Sequence, residues 1–153
     1  MSKVGNIKKV QLNAACKYFG PDSTVSEIAD MMDLEDIGAV PILNDTGNLL
    51  GVVSERDIVR KLVKSGRDSD LVTAKDIMTT KVISVSLNTS LVEALRLMKI
   101  NNIRHLPIVD DQNCLINFIS HRDIINTSQA SFKFNWLLLG FAVLAIPAIF
   151  LIN

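Results

Sequence analysis

Residues 37–60 read IGAVPILNDTGNLLGVVSERDIVR, and residues 103–126 read IRHLPIVDDQNCLINFISHRDIIN. The two stretches superpose at an offset of 66 residues. The match runs without a gap from Asp22–Ile58 onto Asn88–Ile124, with eleven of 37 positions identical. Among the identities are Glu27/Glu93, Met32/Met98, Pro41/Pro107, Ser54/Ser120, Arg56/Arg122 and Asp57/Asp123. Turn and cap positions coincide together with apolar ones, so the chain carries two copies of one structural unit.

Each copy reads as the same run of elements. Lys17–Phe19 and Val82–Val85 are short β-like stretches. Thr24-Val-Ser-Glu27 and Ser90-Leu-Val-Glu93 are capping boxes, in which a hydroxyl and a carboxylate satisfy orphan N–H groups at a helix start. Val25, Ile28 and Met32, then Leu91, Ala94, Leu95 and Met98, recur at helical spacing and form one apolar face. Ala39–Leu43 and Leu106–Val109 follow as strands, then polar turns at Asn44–Asn48 and Asp110–Asn113. Leu49–Val53 and Leu115–Ile119 are apolar strands of buried type. A second helix begins at Ser54 or Ser120, and Thr73–Met78 forms a short connecting helix.

The order is β-α-β-β-α, twice, which makes the fold class α+β. The units span residues 4–66 and 73–126. A unit of that size has little core of its own, so the two are expected to pack as a quasi-two-fold pair with two equivalent clefts between the halves.

These residues are the ones that resemble CBS domains. The stretch 37–60 and its counterpart 103–126 are similar to that family's signature, and Lys75-Asp-Ile-Met78 and the looser Val4-Gly-Asn-Ile7 look like its lead-in. The resemblance covers residues 4–126. It implies a non-catalytic regulatory module that takes AMP, ADP, ATP, S-adenosylmethionine or a related adenosyl ligand between the copies and dimerises through its helices. It further implies that adenine sits near the Gly-x-x-Pro strand and that ribose hydroxyls go to the Asp of Ser-x-x-Asp. By position, these roles fall on Ala39, Pro41, Ser54 and Asp57 in the first copy. In the second copy they fall on His105, Pro107, Ser120 and Asp123.

The residues themselves leave alternatives open. Ser54-Glu-Arg-Asp57 is also a capping box, and capping alone accounts for it. Phosphates need cations or free N–H groups. The second copy supplies Arg104, His105 and Arg122 for such an end, whereas the first has Gly38-Ala39 with Arg56 nearby, so the pair of sites is expected to be asymmetric. Gly51 becomes Asn117 in the second copy. A glycine inside a strand marks close approach of a ligand or another backbone, so Asn117 is expected to crowd the second half-site and favour one occupied cleft.

Lys+Arg and Asp+Glu both number 16, so no net field favours nucleic acid. Cys16 and Cys114 lie far apart and outside C-x-x-C spacing, which fits free thiols rather than zinc or redox chemistry. No nucleophile elbow, Walker A or Gly-x-Gly-x-x-Gly pattern is present, and an enzyme is not expected. Asp30, Asp33, Glu35 and Asp36 read as a solvated helix end rather than a metal site. No cofactor is required on this reading.

Residues 134–153 contain no charge, and residues 136–152 read WLLLGFAVLAIPAIFLI. As a helix this run would be about 25 Å long, near the ~30 Å of a hydrocarbon core. Lys133 and Trp136 stand where interfacial anchors would. The expectation is a C-terminal apolar helix that spans the membrane, joined by a linker over 127–133, with the repeats on the cytoplasmic side. A helix buried in an oligomer, or a clamp on a partner protein, is the alternative, with the chain then cytoplasmic. The N-terminus has lysines but no apolar run of signal-peptide length, so export is not expected.

The reading is therefore a membrane-tethered homodimer that responds to an adenine nucleotide. A dimerisation scaffold or an accessory subunit of a membrane protein, without nucleotide binding, is the alternative.

Overall fold

The computed structural model describes residues 2–12 and 15–128. After a 3-10 turn at Val4–Asn6 come α1 (Lys8–Gln11), α2 (Val25–Leu34), β1 (Ala39–Leu43), β2 (Leu49–Ser54) and α3 (Glu55–Asp57). A π turn at Ile58–Leu62 and a 3-10 turn at Val63–Ser65 continue α3. Then follow α4 (Ala74–Ile77), α5 (Leu91–Ile100), β3 (His105–Val109), β4 (Leu115–Ser120) and α6 (residues 121–128).

The repeat is visible in the backbone pairing. β1 and β2 form an antiparallel hairpin with Ala39 opposite Ser54 and a bulge between Ile42 and Leu43. β3 and β4 repeat it with His105 opposite Ser120 and a bulge between Ile108 and Val109. The turns are built alike. Asn44 Oδ1 accepts from the N–H groups of Thr46 and Asn48. Asp110 Oδ1 accepts from those of Gln112 and Cys114. A short polar side chain that ties down its own following backbone is what makes Asn and Asp turn residues.

Two expectations change. Lys17–Phe19 and Val82–Val85 do not form strands; each contributes a single parallel bridge, Phe19 to Ile42 and Val85 to Ile108. Phe19 N–H donates to Pro41 O and its carbonyl accepts from Leu43, after which pairing ends. The second capping box is half formed. Ser90 accepts from Glu93 N–H, but the Glu93 carboxylate turns to Arg96 instead of the cap backbone. The Thr24–Glu27 box is complete.

The hairpin tips pair across a pseudo-two-fold axis. Leu49 N–H donates to Asn113 O at 3.1 Å, and its equivalent Leu115 N–H donates to Gly47 O at 3.2 Å. Asn113 adopts φ 63° and Gly47 φ 82°, the left-handed region that Gly and Asn enter most readily.

Each half has its own core, and the lead-ins are exchanged between them. Val4 and Ile7, which precede the first copy, are buried with Leu91, Ala94, Met98 and Ile119 of the second. Val72, Ala74 and Ile77, which precede the second, are buried with Val25, Ile28 and Val53 of the first. Backbone bonds hold both crossings: Val4 N–H to Thr89 O at 2.8 Å and Ala74 N–H to Ser23 O at 2.8 Å. Burying one Ile side chain contributes roughly 1.5–3 kcal/mol. Neither half closes its core without a segment that the chain order assigns to the other.

The expected tail, with most of its linker, lies outside the described residues. Among the described residues no helix is long and apolar enough to cross a membrane.

Candidate functional site

At the junction of β2 and α3 the chain runs Ser54-Glu-Arg-Asp57, and the two oxygens of Asp57 have different partners. Oδ2 closes the capping box: it accepts from Ser54 N–H at 3.0 Å and from the Ser54 hydroxyl, while Ser54 Oγ accepts from Asp57 N–H at 3.3 Å. Oδ1 faces Lys61 Nζ at 2.8 Å and accepts from Thr79 Oγ1 at 3.1 Å. Burial works to raise the Asp57 pKa. Hydrogen bonds from Lys61 and Ser54, with the Lys61 charge, outweigh it and hold the carboxyl below its ordinary value.

This carboxylate lines a cleft of about 760 Å³ between the copies. The first copy contributes Gly38, Ala39, Ser54, Arg56, Asp57 and Lys61 to its wall; the segment after α4 contributes Thr79 and Lys81; the second copy contributes Asn102, Arg104, His105 and Pro107. Arg56 crosses the cleft, its Nη1 donating to Asn102 O at 2.9 Å. The cleft therefore joins the two repeats rather than belonging to either.

A second cleft of about 700 Å³ lies on the other side of Gly38, Glu55, Arg104 and His105, which line both. Ser120, His121 and Arg122 face it, opposite Asp33, Asp36 and Ile58. Arg122 stands 3.7 Å from Asp36 Oδ2, the position equivalent to Asn102, and both partners are largely exposed. The His105 ring stacks on Phe118, with centroids 5.6 Å apart. Burial lowers the His105 pKa; Asp123 opposes this, while Lys9, Arg104 and Arg122 reinforce it.

Of the expected positions, Ala39, Ser54, Arg56, Asp57, Arg104, His105 and Pro107 come together in the first cleft. Ser120 and Arg122 lie in the second. Pro41 and Asp123 line neither; Pro41 is buried in β1 opposite Val52, and Asp123 caps α6 through Ser120 N–H at 2.7 Å. The equivalent positions thus do not form one site per copy, because each cleft takes its wall from both copies.

Asn117 does not crowd a cleft. It is buried at 1% exposure, accepts from Phe118 N–H at 2.8 Å and lines neither cleft. Gly51 is needed for another backbone: a Cβ there would meet Met78 Sδ at 2.7 Å and Thr79 O at 3.1 Å. Lys61, Thr79 and Lys81 were not anticipated. Lys61 stands four residues beyond Asp57, so helical spacing alone could have paired them; Thr79 reaches the cleft only through the pairing of its backbone with Val52.

The family model for the CBS domain matches residues 7–64 and 74–129. The chain is 42% identical over 105 residues to an uncharacterized protein of Methanopyrus kandleri, 69% of this chain and 54% of that one, so it spans about half that relative's length. A solved protein with CBS domains from Burkholderia ambifaria superposes with a TM-score of 0.77 at 30% identity, covering 84% of this chain and 95% of that one. The fold is shared with CBSX2 solved in complex with AMP, at 22% identity and a TM-score of 0.71, covering 88% of this chain and 99% of that one. It is shared too with a CBS domain pair in complex with 5-methylthioadenosine and S-adenosylmethionine, at 21% identity and a TM-score of 0.72, covering 86% and 98%. With two matched domains, a doubled hairpin and a cleft between the halves, the chain belongs to the CBS domain family.

Proposed function

We propose that the chain is a non-catalytic regulatory module and that its first cleft binds an adenosine-containing ligand. The observation that carries this reading is the division of labour in Asp57. One oxygen closes the cap, as in the other Asp capping boxes of this chain, while the other stands in the cleft wall beside Thr79 and Lys61. A carboxylate oxygen in that position can accept a ribose hydroxyl. Ala39 and Pro107 offer apolar surface for a purine ring, and Arg56, Lys81 and Arg104 offer charge for phosphates. The ligands of the two solved neighbours agree with this chemistry.

Thermal denaturation of the chain with AMP, ATP and S-adenosylmethionine tests the reading. A ligand that binds the folded chain alone must raise the midpoint; no shift with any of the three rejects it.

Leu34 and Ile100, equivalent positions at the ends of α2 and α5, are 79% and 61% exposed, and Val59 and Val63 follow α3 at 58% and 63%. These apolar side chains support a homodimer formed through the helices. The uncharged stretch 134–153 supports attachment to a membrane, and Lys133 just before it supports placing the repeats on the cytoplasmic side. Retention of the chain in membranes washed with alkaline carbonate is the expected result, and release rejects attachment.

A further inference from the structure

We propose that Lys61 is an exchangeable counterion that makes the first cleft select a phosphate-bearing adenosine ligand over a sulfonium-bearing one. The inference rests on the reading of that cleft as an adenosine site and deepens it.

The cleft wall holds Arg56, Arg60, Lys61, Lys81 and Arg104 against two carboxylates, Glu55 and Asp57. Arg56 is bonded to a neutral carbonyl, that of Asn102, so its charge is not cancelled there. Among the described residues, the Asp57 charge is matched by that of Lys61. The excess is positive and lies in a concave wall, where fields are focused. A phosphoryl group carries about −1.5 to −2 charges at pH 7. S-adenosylmethionine carries a sulfonium and an ammonium against a single carboxylate, and this wall would repel it.

Lys61 is placed to convert that field into recognition. Its ammonium has three N–H donors, and its described acceptors are Asp57 Oδ1 and Ile77 O, the latter at 2.6 Å. The carbonyl holds the ammonium in the wall when a ribose hydroxyl takes a share of Oδ1. The charge released from Asp57 then has a phosphate oxygen to meet. A ligand without phosphate would take the share and leave the ammonium with less than it had. The second repeat lacks the device: Thr127 stands where Lys61 would, and its hydroxyl donates to Asp123 O, so the selection belongs to the first cleft.

The test is equilibrium binding of AMP, adenosine and S-adenosylmethionine to the chain and to its Lys61→Thr and Lys61→Arg variants at pH 7. Threonine is the residue at the equivalent position, 127, of the second repeat. The parent is expected to prefer AMP over both other ligands by about tenfold or more, and Lys61→Thr to lose most of that preference, chiefly through weaker binding of AMP. Lys61→Arg, which keeps the charge, should keep the preference. Tighter binding of S-adenosylmethionine than of AMP, or an unchanged AMP-to-adenosine ratio in Lys61→Thr, overturns the role of Lys61 while leaving an adenosine site in place. Failure of all three ligands to bind the parent rejects the adenosine reading itself.

Discussion

The Asp57 carboxylate and the Lys61 ammonium stand 2.8 Å apart on one helix, and the same carboxylate caps the start of that helix. Folding and recognition therefore draw on one side chain. Its first oxygen ends the orphan N–H of Ser54, while its second holds the cation that faces the cleft.

That arrangement predicts a pH dependence. Asp57 titrates below its ordinary value in the folded chain, against about 3.9 unfolded. Its contribution to stability is complete above the unfolded value and is lost as the pH falls through the folded one. Asp57→Ala should cost about 1–2 kcal/mol at pH 7, from the cap and the ion pair together, and the penalty should shrink toward pH 3. Urea denaturation of both proteins across that range measures it.

His105 acts in a higher window. Burial depresses its pKa, so the unfolded chain takes up a proton more readily than the folded one. Stability should begin to fall below about pH 6.5, the ordinary histidine value, well before Asp57 titrates. His105→Phe keeps a ring beside Phe118 and should flatten the stability profile between pH 7 and pH 5 while leaving the acid limb below pH 4 in place. Thermal midpoints at closely spaced pH values separate the two limbs.

The two arginines that are identical in sequence should differ in effect. Arg56 ties the first repeat to the second through Asn102 O at 2.9 Å, whereas Arg122 and Asp36 meet at 3.7 Å in solvent. Arg56→Ala is expected to destabilise by about 1 kcal/mol and Arg122→Ala by less than about 0.5 kcal/mol. Equal losses in chemical denaturation would show that the asymmetry across the pseudo-axis is not energetic.

Gly51→Ala tests why the first repeat has no side chain there. The new methyl would meet the Thr79 carbonyl at 3.1 Å and Met78 Sδ at 2.7 Å. A loss of about 1–3 kcal/mol is expected from this overpacking. Adding Met78→Ala should recover only part of it, because the carbonyl cannot turn aside as the thioether can. Full recovery in urea denaturation would place the whole clash on Met78.

Much of this architecture was legible in the residues, and for a physical reason. Strands and helices with one buried face must repeat their apolar spacing, so Val25, Ile28 and Met32 and their counterparts announced the halves. Pro41 and Pro107, Ser54 and Ser120 then fixed the register of one copy on the other. What was not legible depends on segments that cross between halves. Nothing local tells that Val4 and Ile7 fill the second core, or that Thr79 and Lys81 reach the first cleft. The same limit applies to Asn117: its position in a strand suggested a cleft, while its side chain bonds the N–H of its own neighbour, Phe118. Clefts between the halves were expected, but which positions share a cleft depends on the packing: His105 lines the first cleft with Asp57, while Ser120 lines the second and Asp123 neither.

The first cleft is proposed to bind an adenosine-containing ligand through Asp57. Calorimetric titration of AMP into the chain and into its Asp57→Asn variant addresses it most directly. Asparagine retains an oxygen for the cap, yet removes the charge that faces Lys61 and the ribose hydroxyl. Saturable binding to the parent is expected, with an affinity at least about tenfold weaker in the variant, a difference of about 1.4 kcal/mol. Absence of binding to the parent by AMP, ATP and S-adenosylmethionine alike, or equal AMP affinity for both proteins, would overturn that reading.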